Sequence, residues 1–392
     1  MKFVLMQKDV PALTFKTSDD YEKVNIIQVL EEERLPFHLQ KKGLSSAEFE
    51  KWLLHRNISK TRQGAQRLVK ETNSKNILQL SVQNNGLSLS DSYWIKNTKA
   101  DISWDDVNFF KNGYSEDIGN YLLKNESLKS FVASPDICTN GCLEKAWKRV
   151  EGKDYLFKLG KAPFNQQPIN EVLCCEIAKR AFPRLSVVEY HLAQAGDKIC
   201  SACENFVTEN IEFVPASYIY FSAPLIEGET VYSHFLNRCR FWGIRNVEKF
   251  LSNMIAFDYL ICNQDRHLGN FGFLRNVDSG LFIGPAPLFD NGNSLWFDEP
   301  IETIGKGDEF CKPFESLHED QIALIKKVRH INTEALKEND KFFEKCMKKR
   351  IDETRIKIIT KAFEQRIKLL DQKIQELNYR DIENEITSRE ER

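Results

Sequence analysis

The sequence lacks long apolar runs, an excess of charge of either sign, and the dense cysteines of a disulfide scaffold. No stretch approaches the ~18 consecutive apolar residues that span a bilayer, so we expect no transmembrane helix. Lys and Arg number 55 and Asp and Glu 57, which leaves a net charge of -2. Such a balance creates no whole-molecule field toward nucleic acid or acidic membranes. We therefore expect no membrane association and no direct nucleic-acid binding.

The ten cysteines are too few and too irregularly spaced for a disulfide framework in a chain of 392 residues. Cys200 and Cys203 form a CxxC pair. Neither a second CxxC nor a nearby pair of histidines completes a tetrahedral zinc set around it. We expect free, buried thiols.

The amino terminus, MKFVLMQKDV, does not have the pattern of a signal peptide, because Lys8 and Asp9 interrupt its short apolar run. We expect a cytoplasmic protein, or one released by a route that needs no N-terminal signal. With 42% hydrophobic residues the chain can bury a large core, and its length predicts two or three folding units.

The first part of the chain mixes strand and helix patterns. Short apolar runs predict strands at residues 3–6 and 12–15, separated by a turn. A helical pattern covers residues 46–71, and either Ser45 or Ser46 is placed to cap it.

The tract 41–75 has a clear excess of Lys and Arg over Glu. A solvated helix face is the favoured interpretation, and a docking surface for a substrate or nucleic acid is the alternative. A loop-rich stretch follows at residues 84–106, after which Ser115 is placed to cap a short helix.

From residue 134 onward the pattern changes to strands followed by helices. The predicted elements are a hairpin of residues 147–150 and 155–159, a helix from Pro168, a helix at 247–260, strands at 271–274 and 281–283, and a third strand at 286–289. The final third predicts one long helix with an apolar stripe formed by Ile356, Ile359, Phe363, Ile367, Leu370, Ile374 and Leu377. After Tyr379 the charged sequence predicts a frayed end.

The strongest chemical signal lies at residues 265–270, which read DRHLGN, followed by Asp290. Phosphoryl transfer needs a carboxylate near the acceptor hydroxyl and oxygen ligands that hold Mg²⁺ against the phosphates. Asp265 and Asn270 have the Asp-x-x-x-x-Asn spacing of the protein-kinase catalytic loop, in which Asp acts as base and Asn binds metal. Asp290, at the end of the predicted third strand, supplies the second metal ligand. The alternative is that Asp265 and Asn270 only shape a loop while His267 packs in the core.

A kinase site also needs a cation on the α- and β-phosphates. Lys158 lies inside a predicted apolar strand, where a lysine is costly unless it is paired. Glu171, on the helix that follows, is the predicted partner, and Glu176 on the same helix is the second choice. The alternative is an edge-strand lysine that reaches water.

The loop that covers the phosphates is predicted at residues 139–145. It contains one glycine, Gly141, instead of the three of a GxGxxG motif. Backbone amides around Gly141, with Lys145 nearby, form the predicted cradle. A plain turn before a strand explains the same residues equally well.

At these residues, between about 134 and 313, the chain resembles the HipA-like serine/threonine kinases, a family of bacterial toxin-type kinases that includes stand-alone members. The resemblance rests on Gly141 with Glu144-Lys145, Phe157-Lys158, Asn170-Glu171, Glu204-Asn205-Phe206, the string NQDRHLGN at 263–270 and the string PLFD at 287–290.

The resemblance implies an α+β, bilobed, protein-kinase-like fold. Its expected parts are an N-terminal α/β subdomain at 1–125, an ATP-binding N-lobe at 126–208, a mainly helical catalytic C-lobe at 209–380 and a charged tail at 381–392. It also implies ATP and Mg²⁺ as cofactors and phosphorylation of protein Ser or Thr, including the kinase itself.

The resemblance further implies a role for each matching residue. Lys158 contacts the phosphates, Asp265 is the catalytic base, and Asn270 and Asp290 hold Mg²⁺. The other expected nucleotide-binding residues are Gly141, Lys145, Glu171, Glu204, Phe206 and His267, with Glu204 to Phe206 at the hinge by the adenine.

In this family the phosphate loop can itself be phosphorylated and leave the site. Cys138 stands at the aligned position of the modified serine in this chain. Ser134 and Thr139 are the hydroxyl residues nearest to it.

Two other interpretations stay open. The Asp-Arg-His string also resembles the catalytic loop of phosphoinositide kinases, which makes a lipid or small molecule an alternative substrate. The chain could also be a non-catalytic protein that acts with a DNA-binding, antitoxin-like partner. Because Asn291 stands where protein kinases have the Phe of DFG, we expect no control by flipping that aromatic ring.

Overall fold

The computed structural model describes residues 1–40, 43–59, 62, 64–124, 128, 132–139, 141, 143–325 and 330–390. Within these residues the chain has a mixed α/β fold with three antiparallel sheets and a predominantly helical C-terminal half. The mixed fold predicted from the sequence is therefore present.

The first sheet has the strand order β3-β2-β1-β4. Its strands are β1 Lys2–Gln7, β2 Val10–Thr17, β3 Val24–Val29 and β4 Tyr93–Asn97. Apolar residues on one face pack against helix α1, Ser46–Arg56, as in the edge-to-face contact of Phe15 with Phe49. The two predicted strands are present, whereas β4 lies in a stretch that the sequence predicted to be a loop.

Helix α1 begins with a capping box, in which Ser45 and Glu48 each satisfy the other's backbone N–H. The predicted helix 46–71 is wrong in length, because α1 ends at Arg56. Asn57 is extended there, and a second helix, α2 Ala65–Glu71, begins after Gly64, whose left-handed φ of 86° a glycine adopts without strain. Residues 41–42, 60–61 and 63 of the basic tract 41–75 lie outside the described residues.

Three short helices complete this part of the chain: α3 Ile77–Gln83, α4 Trp104–Val107 and α5 Asp117–Lys124. The predicted cap of α5 is present, since Ser115 Oγ accepts a hydrogen bond from Asp117 N at 3.1 Å.

The second sheet has the order β5-β6-β8-β7. Its strands are β5 Lys145–Val150, β6 Lys153–Leu159, β7 Tyr190–Ala195 and β8 Lys198–Glu204. The predicted hairpin is β5 and β6, joined by Glu151 and Gly152, which both have positive φ as a tight hairpin turn requires. Helix α6, Gln167–Ala181, has Pro168 in its first turn and packs against β7 and β8.

The third sheet has the order β11-β10-β9 and consists of β9 Ile211–Pro215, β10 Gly272–Asn276 and β11 Phe282–Pro285. The predicted strand at 286–289 is wrong. Within this segment Leu288 forms a single bridge, to Val187, through backbone hydrogen bonds with residues 186 and 188. The chain then bends at Asp290, whose φ is 58°, so the pairing does not continue into a strand.

The remaining helices are α7 Ala216–Tyr220, α8 Val231–Phe241, α9 Val247–Ile261, α10 His318–Ile322, α11 Asn339–Met347 and α12 Glu353–Glu390. The apolar stripe of α12 packs on α9 and α11, for example through the contact of Phe363 with Phe343. Helix α12 continues to Glu390, so the predicted frayed end is wrong for the backbone; the segment contains no proline or glycine that would end a helix.

The largest hydrophobic core joins α6, α8, α9 and α12, and it includes Phe271, just before β10, and Phe273 within it. Within the described ranges no helix combines the length and apolar character needed to cross a membrane. The nine cysteines that the structure describes are free, and all but the half-buried Cys346 are buried.

Candidate active site

The loop that carries Asp265 leaves the end of the buried helix α9. Asp258, in the last turn of α9, accepts hydrogen bonds from Arg266 at 2.9 and 3.0 Å, and neither side chain is exposed by more than 1%. Arg266 also donates to Asn270 O at 3.0 Å and to Phe289 O at 2.6 Å, and it bonds the Asn291 side chain. One buried guanidinium therefore fixes the loop 263–270 to the segment that carries Asp290.

Asp265 is half-buried and has a partner on each carboxylate oxygen. Lys312 Nζ lies 2.8 Å from Oδ1, and Asn293 Nδ2 donates to Oδ2 at 3.1 Å. Asn270 Nδ2 donates to Asp265 O at 2.9 Å. The two ends of the Asp-x-x-x-x-Asn motif are thus bonded to each other.

Lys158 lies on β6, between β5 and β8, so the edge-strand alternative is wrong. Its Nζ is 3.1 Å from Asp290 Oδ1, 3.4 Å from Glu171 Oε1 and 3.4 Å from Tyr190 Oη. The predicted pairing with Glu171 is present, whereas Glu176 bonds Arg180 instead. The fold therefore brings the predicted cation and the predicted metal-binding carboxylate into contact.

The charges of this group are strongly coupled. Burial by itself lowers the pKa of Lys158, but the attraction of Asp290, Tyr190 and Glu171 raises it well above its usual value. Burial opposes ionisation of Asp290 as well, yet Lys158 and Lys145 lower its pKa to about 2. Burial raises the pKa of Glu171, against the effect of Lys158. Asp290 is therefore an anion at neutral pH, as a metal-binding carboxylate must be.

The predicted phosphate loop is described only in part, because Asn140 and Cys142 lie outside the described residues. Gly141 has a φ of 106°, and an added Cβ would lie 2.3 Å from Lys145 Nζ, so the lysine is folded against the glycine. Lys145 also acts electrostatically on Asp290. Gly141 and Lys145 thus lie on the side of the site that Asp290 faces.

Arg62 was not predicted from the sequence, yet it holds this loop. It is buried and donates to Gly141 O at 3.2 Å and to Thr139 O at 2.5 Å. Its position between α1 and α2 gives no sequence signal, since the contact depends on how the first part of the chain packs on the second sheet.

The side chains just before the predicted phosphate loop make hydrogen bonds inside the fold. Cys138 is buried against Ser81 and Asn84, and burial raises the pKa of its thiol. Ser134 is fully buried and caps a short 3₁₀ helix, Pro135–Cys138. Thr139 Oγ1 donates to Pro135 O at 2.7 Å and accepts from Trp147 Nε1 at 3.0 Å.

The other predicted nucleotide-binding residues lie around this centre. Glu204 is exposed at the end of β8 and pairs with Lys153 at 2.9 Å, and Phe206 packs against Phe213 and Phe289. His267 is exposed, and its Nδ1 accepts a hydrogen bond from Gly269 N, so the alternative that this histidine packs in the core is wrong.

The donors available for Mg²⁺ are the carboxylate of Asp290 and the amide oxygen of Asn270. The Nδ2 of Asn270 donates to Asp265 O, so the amide oxygen of Asn270 is the atom that would bind metal. In the part of the chain that the structure describes, no three His, Cys, Asp or Glu side chains are grouped to hold a metal. The donor set fits a hard cation that keeps several waters and phosphate oxygens, as Mg²⁺ does.

Comparison with known proteins shows what the chain is similar to. No family model matches the chain. A curated protein, serine/threonine-protein kinase CtkA of Helicobacter pylori (strain J99), is 30% identical over 145 residues, which are 32% of this chain and 40% of that protein. The fold matches that of HipA from Shewanella oneidensis MR-1, with a TM-score of 0.57 over 94% of this chain and 97% of HipA, at 12% identity. The chain is similar to the HipA-like kinases in part of its sequence and in its fold.

The predicted resemblance to HipA-like kinases is thereby confirmed. The crystal structure of the H. pylori proinflammatory kinase CtkA also matches, at a TM-score of 0.48 and 18% identity, over 60% of this chain and 95% of CtkA. The sequence match spans less than half of its curated HipA-like relative. The HipA match shows the fold alone.

Proposed function

We propose that the protein is an ATP- and Mg²⁺-dependent serine/threonine protein kinase of HipA-like type that also phosphorylates itself. The observation that carries the proposal is the contact of Lys158 with Asp290, together with Arg266, which ties Asp290's segment to the loop of Asp265 and Asn270. A cation, a metal-binding pair and a catalytic carboxylate are the groups that phosphoryl transfer requires.

In this proposal each side chain has one task. Lys158 holds the α- and β-phosphates, and Glu171 holds Lys158. Asp265 accepts the proton of the acceptor hydroxyl, whose oxygen bonds to the γ-phosphorus as the bond to the departing ADP breaks. Asp290 and Asn270 hold Mg²⁺, which neutralises the charge of the phosphates. The roles of Gly141, Lys145, Glu204, Phe206 and His267 in nucleotide binding belong to the same proposal.

We also propose the bilobed arrangement with the boundaries given above: a subdomain at 1–125, an N-lobe at 126–208, a C-lobe at 209–380 and a tail at 381–392. It is supported by the second sheet, whose four strands all lie within residues 145–204, and by the helices α8, α9 and α12, which all follow residue 209. The adenine would lie beside Glu204 to Phe206, where the chain passes from β8 toward β9.

A second candidate function is that of a non-catalytic protein that binds a DNA-binding, antitoxin-like partner. It is favoured by the fold match to a HipA structure that contains HipB and its operator DNA. A gel shift of operator DNA with and without a helix-turn-helix partner separates the two candidates, since a pure kinase leaves the shift unchanged.

The kinase proposal is tested with full-length protein, labelled ATP and Mg²⁺. We expect Asp265→Asn and Asp290→Asn each to reduce phosphate transfer by about 10²–10⁴-fold, the range that a positioned general base or charge stabiliser contributes. The matched control is Asp298→Asn, an exposed aspartate eight positions after Asp290. Unchanged labelling in both site variants would overturn the assignment.

A further inference from the structure

Lys312 reaches the proposed catalytic aspartate from outside the catalytic loop. Its Nζ lies 2.8 Å from Asp265 Oδ1, although the two residues are 47 positions apart. Among the residues that the structure describes, it is the basic side chain that forms an ion pair with Asp265. Protein kinases need positive charge at the transferred phosphate, and His267, inside the loop, bonds Gly269 instead.

The backbone around Lys312 is held in place. Phe310 bridges to Leu317, and Cys311 N donates to Ser316 O at 2.9 Å. Gln321, which is fully buried, donates to Lys312 O at 2.9 Å and accepts from Phe314 N at 3.0 Å. The buried amide of Gln321 bonds the carbonyl of Lys312 and the N–H of Phe314, and together with the Cys311–Ser316 hydrogen bond it fixes the backbone around the lysine.

The side chain, in contrast, reaches into solvent. The Lys312 side chain is 52% exposed, and that of Asp265 is 31% exposed. An exposed ion pair of this kind contributes little to stability. A fixed backbone with a solvent-exposed ammonium group fits a residue that changes partner when substrate arrives better than it fits a structural brace.

The two lysines of the site lie on different sides of it. Lys158 binds Asp290 from the second sheet, and Lys312 binds Asp265. In phosphoryl transfer the acceptor oxygen lies beside the catalytic carboxylate, with the γ-phosphorus roughly 3 Å beyond it. An ammonium within hydrogen-bond distance of Asp265 is therefore within reach of the oxygens of the γ-phosphate.

We propose that Lys312 is a catalytic residue that orients Asp265 before ATP binds and donates to the γ-phosphate oxygens during transfer. The inference rests on the proposed function of the site. As the acceptor oxygen bonds to the γ-phosphorus, the bond from that phosphorus to the oxygen of ADP breaks. The hydroxyl proton passes to Asp265, and Lys312 stays protonated throughout.

The experiment compares full-length Lys312→Met and Lys312→Arg with the wild-type protein. We expect Lys312→Met to lower kcat by about 10²-fold and to weaken Mg-ATP binding by about 10-fold, the effect of one charge-assisted hydrogen bond. Mg-ADP, which has no γ-phosphate, should bind equally well to both proteins. Lys312→Arg should restore most of the ATP preference, because its charge remains.

Lys306→Met is the matched control, since this exposed lysine lies six positions earlier on the same segment. It should leave turnover and both affinities unchanged. Equal kcat and an equal ATP-to-ADP affinity ratio in Lys312→Met would overturn the inference while the kinase proposal stands. If the wild-type protein prefers ATP but transfers no phosphate, and Lys312→Met loses that preference, the γ-phosphate contact is supported and the kinase proposal is overturned instead.

Discussion

Lys158 is a buried lysine with two carboxylates, and the balance of charge around it affects the stability of the fold and, in the proposed function, nucleotide binding. Its side chain is 8% exposed and that of Glu171 is 3% exposed. Removing one member of a buried ion group leaves the other charges without compensation in a poorly solvated place. The ion group is thus a condition for the fold as well as for the proposed site.

We expect Lys158→Met to lower the free energy of unfolding by about 3–5 kcal/mol and to weaken nucleotide binding. Chemical denaturation and titration with a fluorescent nucleotide measure the two effects. The double variant Lys158→Met/Glu171→Leu should recover part of the stability and none of the binding. Lys153→Met is the control on the same strand, because its ion pair with Glu204 is exposed; normal nucleotide binding by Lys158→Met would rule out the phosphate role.

Asp136, in the 3₁₀ helix before the phosphate loop, makes stability depend on pH. Burial raises its pKa from the ordinary 3.8 to about 7, although the Trp147 backbone N–H and Arg62 favour the anion. The folded protein therefore binds a proton that the unfolded chain has already lost between pH 4 and pH 7. The stabilisation is fully present below about pH 4 and disappears as the pH rises through 7.

We expect the free energy of unfolding to fall by roughly 3 kcal/mol more in the wild type than in Asp136→Asn as the pH rises from 5 to 8. Urea denaturation at several pH values measures this difference. Comparing the two proteins removes the contribution of Glu212, whose pKa burial also raises to about 7. Parallel pH profiles would contradict the prediction.

At the scale of elements, Arg266 joins helix α9, the catalytic loop and the segment after β11. Its two bonds to Asp258 have the forked geometry that a lysine cannot reproduce. Asn293, in the segment after β11, and Asn270, within the loop, in turn bond Asp265. The catalytic geometry therefore depends on how three elements are tied together.

We expect Arg266→Met to destabilise the fold by about 3–5 kcal/mol, since Asp258 is left buried and unpaired. Arg266→Lys should remain destabilised, whereas Asp258→Leu combined with Arg266→Met should regain part of the loss. Thermal and urea denaturation measure the order of stability of the wild type, the two single variants and the double variant. Arg240→Met is the control, because its bond to Glu248 is exposed; a stable Arg266→Lys would argue against the forked contact.

At the scale of the whole molecule, the N-terminal sheet is joined to the C-terminal half. Lys8 bonds Asn210 and Asp278 at 2.8 and 2.9 Å. Phe37 is buried in the main core, with its ring 4.7 Å from that of Trp242 and 5.3 Å from that of Phe282. The proposed subdomain 1–125 therefore contributes an aromatic side chain to the core of the proposed C-lobe.

We expect Phe37→Ala to lower the free energy of unfolding by about 3–5 kcal/mol through the cavity it leaves. The loss should be seen by a probe of Trp242 in the C-terminal half as well as by far-ultraviolet circular dichroism. Phe221→Ala, at a ring that is 74% exposed, is the control. An effect confined to the N-terminal sheet would show that the two parts unfold independently.

Much of the secondary structure could be predicted from local patterns. The β5–β6 hairpin, helices α6 and α9 and the stripe of α12 follow from alternation, capping and spacing, which act between near neighbours in the chain. Two other predictions from local patterns fail. Asn57 is extended and ends α1 inside the predicted helix 46–71, and in the predicted strand 286–289 the single bridge of Leu288 to Val187 does not extend into a ladder.

The sequence by itself determined the resemblance to HipA-like kinases, the Asp-x-x-x-x-Asn loop and the need of Lys158 for a partner, because each depends on residue type and spacing. Only the tertiary structure decided for Glu171 over Glu176, and only it shows that Asp290 also contacts Lys158, that Arg62 holds the predicted phosphate loop and that Lys312 meets Asp265. These contacts join residues from 13 to 132 positions apart. Packing alone brings such residues together, since no local pattern encodes which distant charge a side chain will meet.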